Sequence, residues 1–112
     1  MTKDILTIDD FNLKNKTVLV RVDLNCPIDP QSGEFLDDRR ITEHAKTVKE
    51  LAEKGAKVVV LAHQGRAGEE YDFTTLEKHA KRLAKHTGNG VEYVPDIIGP
   101  TAQQKIKSLK SG

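Results

Sequence analysis

The chain has 112 residues, with 18 Lys+Arg against 17 Asp+Glu, a formal charge of +1 and one cysteine. A chain of this size buries roughly two-thirds of its unfolded surface and supports one core, so it is one small domain at most. Near-neutral charge, with two Tyr, three Phe and no Trp, excludes a phosphate-tracking or base-stacking nucleic-acid binder. No run reaches the ~20 apolar residues of a membrane span. The opening MTKDILTIDD is acidic where a signal peptide is basic, and the expected location is cytoplasmic. Cys26 alone rules out an internal disulfide, a CxxC pair or a thiolate zinc cage and reads as incidental.

Residues 17–23, TVLVRVD, predict strand one; apolar side chains on both phases suit a sheet covered on both faces. Residues 24–38 carry Pro27, Pro30 and Gly33 and predict a loop closing in a turn or small hairpin. Ile41, Ala45, Val48, Leu51 and Ala52 recur at helical spacing before Gly55. They predict helix one over 39–54, with Asp37 or Asp38 near its start accepting free backbone N–H groups.

Residues 57–62, KVVVLA, predict strand two, followed by the polar stretch HQGRAGEEYD. Thr74 and Glu77 have capping-box spacing, and helix two is predicted over 76–86, ending before Gly88. Residues 91–94 predict a short third strand, and Gly99-Pro100 opens a third helix with proline at its first position. Alternation of strands and helices without hairpin signals between the strands implies an α/β fold with parallel pairing and right-handed crossovers. Three strands make a thin doubly wound sheet, and the chain is expected to be a piece of a longer protein.

In open parallel sheets ligands bind beyond the carboxyl ends of the strands. Arg21-Val22-Asp23-Leu24-Asn25 follows strand one, His63-Gln64-Gly65-Arg66 follows strand two, and Arg40 stands at the start of helix one. Arg40 and Arg66 offer guanidinium forks to carboxylate or phosphate oxygens. His63 can donate to an anion, Asn25 both donates and accepts, and Asp23 accepts from a hydroxyl. Together they describe a pocket for a small, doubly anionic, hydroxylated ligand. Taken singly, an arginine at a helix start is usually a solvated charge and a strand-end aspartate a loop fastener. His44, His79 and His86 lie on predicted helices without ligand spacing and read as structural or surface residues; no metal set is visible. Neither G-x-x-x-x-G-K-[ST] nor G-x-G-x-x-G occurs, so the chain has no recognisable nucleotide loop of its own.

Val18 to Pro27, VLVRVDLNCP, resembles the RVDFNVP strand motif of the phosphoglycerate kinase family. Asp38-Arg39-Arg40-Ile41 resembles its D-x-R-I, Gly55-Ala56-Lys57-Val58-Val59 its GAKVV and His63-Gln64-Gly65-Arg66 its H-L-G-R; Val94-Pro95-Asp96 and Ile98-Gly99 match later landmarks in order. The resemblance covers about Lys16 to Leu109 and is made specific by motif order and spacing. Gln64 in place of leucine and Leu24 in place of phenylalanine look like the archaeal branch.

The resemblance implies a partial doubly wound parallel sheet, three-layer αβα, forming the first half of an N-terminal domain over residues 1–112. It implies a glycolytic kinase moving a phosphoryl group reversibly between 1,3-bisphosphoglycerate and ADP, giving 3-phosphoglycerate and ATP. Asp23, Leu24 and Asn25 would hold the hydroxyl and carboxylate end of the substrate. His63, Gln64, Gly65 and Arg66 would hold its phosphate end, and Arg40 would be the catalytic arginine. Mg-ATP or Mg-ADP would bind an absent C-terminal domain, leaving this chain without cofactor, metal, nucleic-acid or membrane partner and inactive alone. The alternative is a stand-alone α/β module that binds a small anion without catalysis. The family places its fourth strand between the second and third, so strand three is expected to be unpaired or marginal here.

Overall fold

The computed structural model describes residues 5–64 and 75–112. A short 3-10 turn, Ile8–Asp10, is followed by β1 (Thr17–Arg21), α1 (Arg39–Glu53), β2 (Lys57–Leu61), α2 (Glu77–Thr87) and α3 (Pro100–Ser108). The 3-10 turn has no counterpart in the predicted elements. Thr7 and Asp10 close it reciprocally: the Thr7 backbone N–H donates to Asp10 Oδ2 at 2.6 Å.

β1 and β2 pair in parallel with Thr17 opposite Lys57 and Arg21 opposite Leu61. The connection between them runs through α1, as a parallel pair requires. Strand one is shorter than the predicted 17–23, yet the Val22 N–H still donates to the Leu61 carbonyl at 3.0 Å. Beyond it the chain alternates: Val22, Leu24, Cys26 and Ile28 are buried, while Asp23 and Pro27 are exposed. The predicted small hairpin is present as an antiparallel bridge between Ile28 and Phe35.

Both long helices end on left-handed glycines, as their sequences indicate: Gly55 has φ +82° and Gly88 φ +78°. At the other end of α1, Asp37 Oδ1 accepts the Arg39 N–H at 2.7 Å, which leaves the Asp38 side chain for other work. The capping box expected from Thr74 lies outside the described residues. At α3 the cap is one the sequence did not suggest: Asp96 Oδ2 accepts the Ala102 N–H at 2.9 Å and Oδ1 the Gly99 N–H at 3.2 Å. A Cβ at Gly99 would sit 2.7 Å from Asp96 Oδ1, so the cap depends on glycine there.

The core gathers Val22, Leu24, Cys26, Ile41, Ala45, Val48 and Leu83, with Val20, Val58 and Val60 packed against them. It therefore lies between α1 and one face of the sheet, with α2 packing on α1. The opposite face bears Leu19, 63% exposed, and Leu61. The three-layer expectation is thus met on one side only: among the described residues no helix covers the Leu19 face. Residues 91–94 form no ladder, in line with the expectation that strand three is unpaired. No helix among the described residues is long and apolar enough to cross a membrane.

Candidate functional site at the carboxyl ends of the strands

The two chain segments leaving β1 and β2 run side by side because their strands are paired and parallel. Period-two alternation after β1 turns Asp23 outward while Leu24 enters the core at 3% exposure. Asp23 Oδ1 accepts the Asn25 N–H at 3.0 Å, an Asx-type turn that fixes the carboxylate on its own loop. Arg40, on the first turn of α1, brings Nη1 to 3.1 Å from Asp23 Oδ1 and 2.9 Å from Oδ2. Both side chains are more than half exposed, so this contact is worth little to stability. Its value is positional, since it holds a guanidinium over the end of β1.

The Asn25 N–H contributes most to holding the Asp23 carboxyl below the usual carboxylate range; partial burial opposes the shift, and Arg40 and then His44 reinforce it. His44 was read from sequence as a structural or surface residue. It stands one helical turn after Arg40, the i+4 relation that puts both on one face of α1.

His63 is exposed just beyond the end of β2, and Asn25 is half-buried beyond the end of β1. Leu24 and Gln64, grouped with the substrate contacts, both have buried side chains. Leu24 packs in the core, and Gln64 is 1% exposed. The Gln64 carboxamide is turned inward, with Oε1 accepting the Cys26 N–H and Nε2 donating to the Cys26 carbonyl, both at 2.9 Å. Gly65 and Arg66 lie outside the described residues.

A second polar cluster joins α1 to α2. Asp38 Oδ2 accepts from Arg82 Nη1 at 2.8 Å and from His86 Nε2 at 3.1 Å. Those two hydrogen bonds, His86 first, hold the Asp38 carboxyl low. The spacing of Asp38 from both partners, more than forty residues away, left no trace in the sequence reading. Among the described residues no three His, Cys, Asp or Glu side chains converge to hold a metal ion.

Residues 8–112 match the family model for phosphoglycerate kinase. The chain belongs to the phosphoglycerate kinase family. A phosphoglycerate kinase of Methanobacterium bryantii is 54% identical over the whole of this chain and 27% of its own length. That of Sulfurisphaera tokodaii is 46% identical over 97% of this chain and 26% of its own. The crystal structure of phosphoglycerate kinase from Pyrococcus horikoshii OT3 superposes with a TM-score of 0.89 at 44% identity, over 96% of this chain and 26% of that one. These relatives bear out the resemblance to the archaeal branch. The chain spans about a quarter of the length of the phosphoglycerate kinases it matches.

Proposed function

We propose that this chain supplies part of the 3-phosphoglycerate site of a phosphoglycerate kinase, an enzyme of the cytoplasm. The reaction is reversible phosphoryl transfer between 1,3-bisphosphoglycerate and ADP, giving 3-phosphoglycerate and ATP. Residues 1–112 make up part of the N-terminal, substrate-binding domain. Mg-ATP or Mg-ADP belongs to a nucleotide domain outside this chain, so the chain alone neither turns over nor completes the substrate's basic shell.

The observation that carries this reading is the Asp23–Arg40 pair at the carboxyl end of β1, on a chain that belongs to this family. Asp23 and Asn25 receive the hydroxyl and carboxylate end of the three-carbon acid, the aspartate accepting and the asparagine donating. His63 and Arg66 receive the phosphate end. Arg40 is the catalytic arginine. Among the described residues Asp23 engages only its Nη1, which leaves Nε and Nη2 for the equatorial oxygens of the phosphoryl group in transit. There a fixed positive charge lowers the barrier to in-line transfer, a reaction governed by positioning and electrostatics.

The test is a hybrid in which this chain replaces the matching quarter of the Methanobacterium bryantii enzyme. The hybrid is expected to catalyse the reaction in a coupled assay, whereas the 112-residue chain alone is not. A folded hybrid without turnover, beside an active parent, would overturn the reading.

A further inference from the structure

The parallel ladder ends where the Val22 N–H reaches the Leu61 carbonyl at 3.0 Å. Three residues further along β2's exit, the Gln64 side chain takes over. Its carboxamide presents an acceptor and a donor to the N–H and C=O of Cys26, both at 2.9 Å, as a peptide group of a neighbouring strand would. A side chain thus continues the pairing beyond the last strand residues, and it does so in the core, at 1% exposure.

The residues it ties are neighbours of the site. Cys26 directly follows Asn25, and Gln64 directly follows His63. The carboxamide is also held in one orientation. Because the Cys26 N–H must face an acceptor, Oε1 is fixed on that side, and the same oxygen lies 2.9 Å from His79 Nε2 on α2. An oxygen that accepts from Cys26 makes His79 Nε2 the protonated nitrogen, so the neutral ring is the Nε2–H tautomer. A flipped amide would set its NH2 against the Cys26 N–H and its oxygen against the Cys26 carbonyl. His79 is itself 1% exposed, and its ring stands edge-on to Phe35 at a centroid distance of 4.8 Å, which fixes its plane. His79 Nδ1 is buried and has no hydrogen-bond partner among the described residues. A buried polar atom left in this state is destabilising, so the ring's placement is not explained by stability alone.

We propose that Gln64 is a positioning residue: its carboxamide, oriented by His79, sets the separation between the Asp23–Asn25 loop and the His63 loop, and so matches the cleft to the distance between the two ends of the substrate. The proposal rests on the functional reading above. It deepens that reading by making the spacing of the two half-sites the work of one inward-facing amide that never touches the ligand. Ligand-binding residues on two loops are precise only when their supports are fixed, since misplacement of about 1 Å lowers rates by large factors.

The experiment uses the hybrid enzyme with Gln64→Met, which keeps length and loses the hydrogen bonds to Cys26 and His79, and Gln64→Glu, which keeps the acceptor for Cys26 and His79 and loses the donor. The Met variant is expected to raise KM for 3-phosphoglycerate about tenfold while kcat stays within about threefold, with the Glu variant between it and the parent. His79→Phe alone should raise KM less, and should add nothing once Gln64 is Met, because both act on one tie. In this chain, hydrogen exchange at the Cys26 amide should speed up about tenfold in the Met variant, with the β1–β2 ladder amides unchanged. A merely structural glutamine would lower the unfolding temperature and leave KM alone. An active hybrid whose KM does not move in either Gln64 variant would overturn the positioning role and leave the functional reading intact. An unmodified hybrid that folds and has no activity would overturn both.

Discussion

Asp38 stands at the cap of α1, yet its carboxylate reaches across to α2, where Oδ2 lies 2.8 Å from Arg82 Nη1. The capping duty passes to Asp37, whose Oδ1 accepts the Arg39 N–H. Two adjacent aspartates therefore divide two tasks, one local and one tertiary. The tertiary one closes the two helices together two residues before Arg40.

Asp38→Asn should loosen that junction. The pair is about one-third exposed, so the loss is expected to be about 1 kcal/mol, smaller in high salt. The Asp38 carboxyl is held below its unfolded value, so its contribution is fully present above about pH 4 and disappears as pH falls through the folded value. Thermal unfolding of the two forms at pH 7 and pH 3 checks this: the gap between them should shrink on acidification, and a constant gap would contradict it.

His79 acts in a higher window. Burial pushes its pKa down to about 4, below the ~6.5 of an exposed imidazole. Between these values the unfolded chain takes up a proton that the folded one refuses, so stability should fall as pH drops from about 6.5 to about 4 and level off below, by roughly 3 kcal/mol at most. Denaturant midpoints across that range test it. His79→Phe should flatten this part of the curve, and an unchanged slope in that variant would assign the titration elsewhere.

The kinetics of the arginines should separate. In the hybrid enzyme, Arg40→Ala is expected to lower kcat far more than it raises KM, because in the proposed role the charge acts on the phosphoryl group in transit. Arg66→Ala is expected to raise KM as well. Steady-state measurements decide, and equal changes in both parameters for both variants would contradict the separate roles.

Cys26 is 2% exposed, and burial raises its thiol pKa, the N–H of Ile41 opposing only in part. A buried thiol kept protonated is a poor nucleophile. Alkylation of the native chain at pH 8 should run at least about a hundredfold slower than in denaturant. Comparable rates would mean that the loop after β1 opens freely.

Much of this fold is legible in short-range pattern. The valine-rich runs become the two paired strands, Ile41 to Ala52 mark the buried stripe of α1, and Gly55 and Gly88 end the helices because only a residue without Cβ takes positive φ without strain. The site's location follows from the same pattern, since Asp23, Arg40 and His63 fall at strand and helix ends. What escaped the sequence is what depends on distant partners. Gln64 looks like a surface amide in a polar loop until Cys26 and His79 are seen beside it, and Asp38 looks like a cap until Arg82 meets it. Strand one also reads too long, because alternation persists through Ile28 after the ladder has run out. Leu19 was expected under cover, since apolar residues on both phases do not reveal which face meets a helix.

Gln64 and Cys26 are 38 residues apart in sequence, and this bears on the order in which the molecule assembles. A contact of that separation pays its loop-closure entropy only when the intervening chain is already organised. Here the intervening chain is α1 with both strand ends, so the amide can meet Cys26 only after the β1–α1–β2 crossover has closed. The two loops that carry the site therefore take up their mutual spacing late in folding. Mutations at Gln64 should speed unfolding and leave the folding rate nearly untouched, the mark of an interaction absent from the transition state.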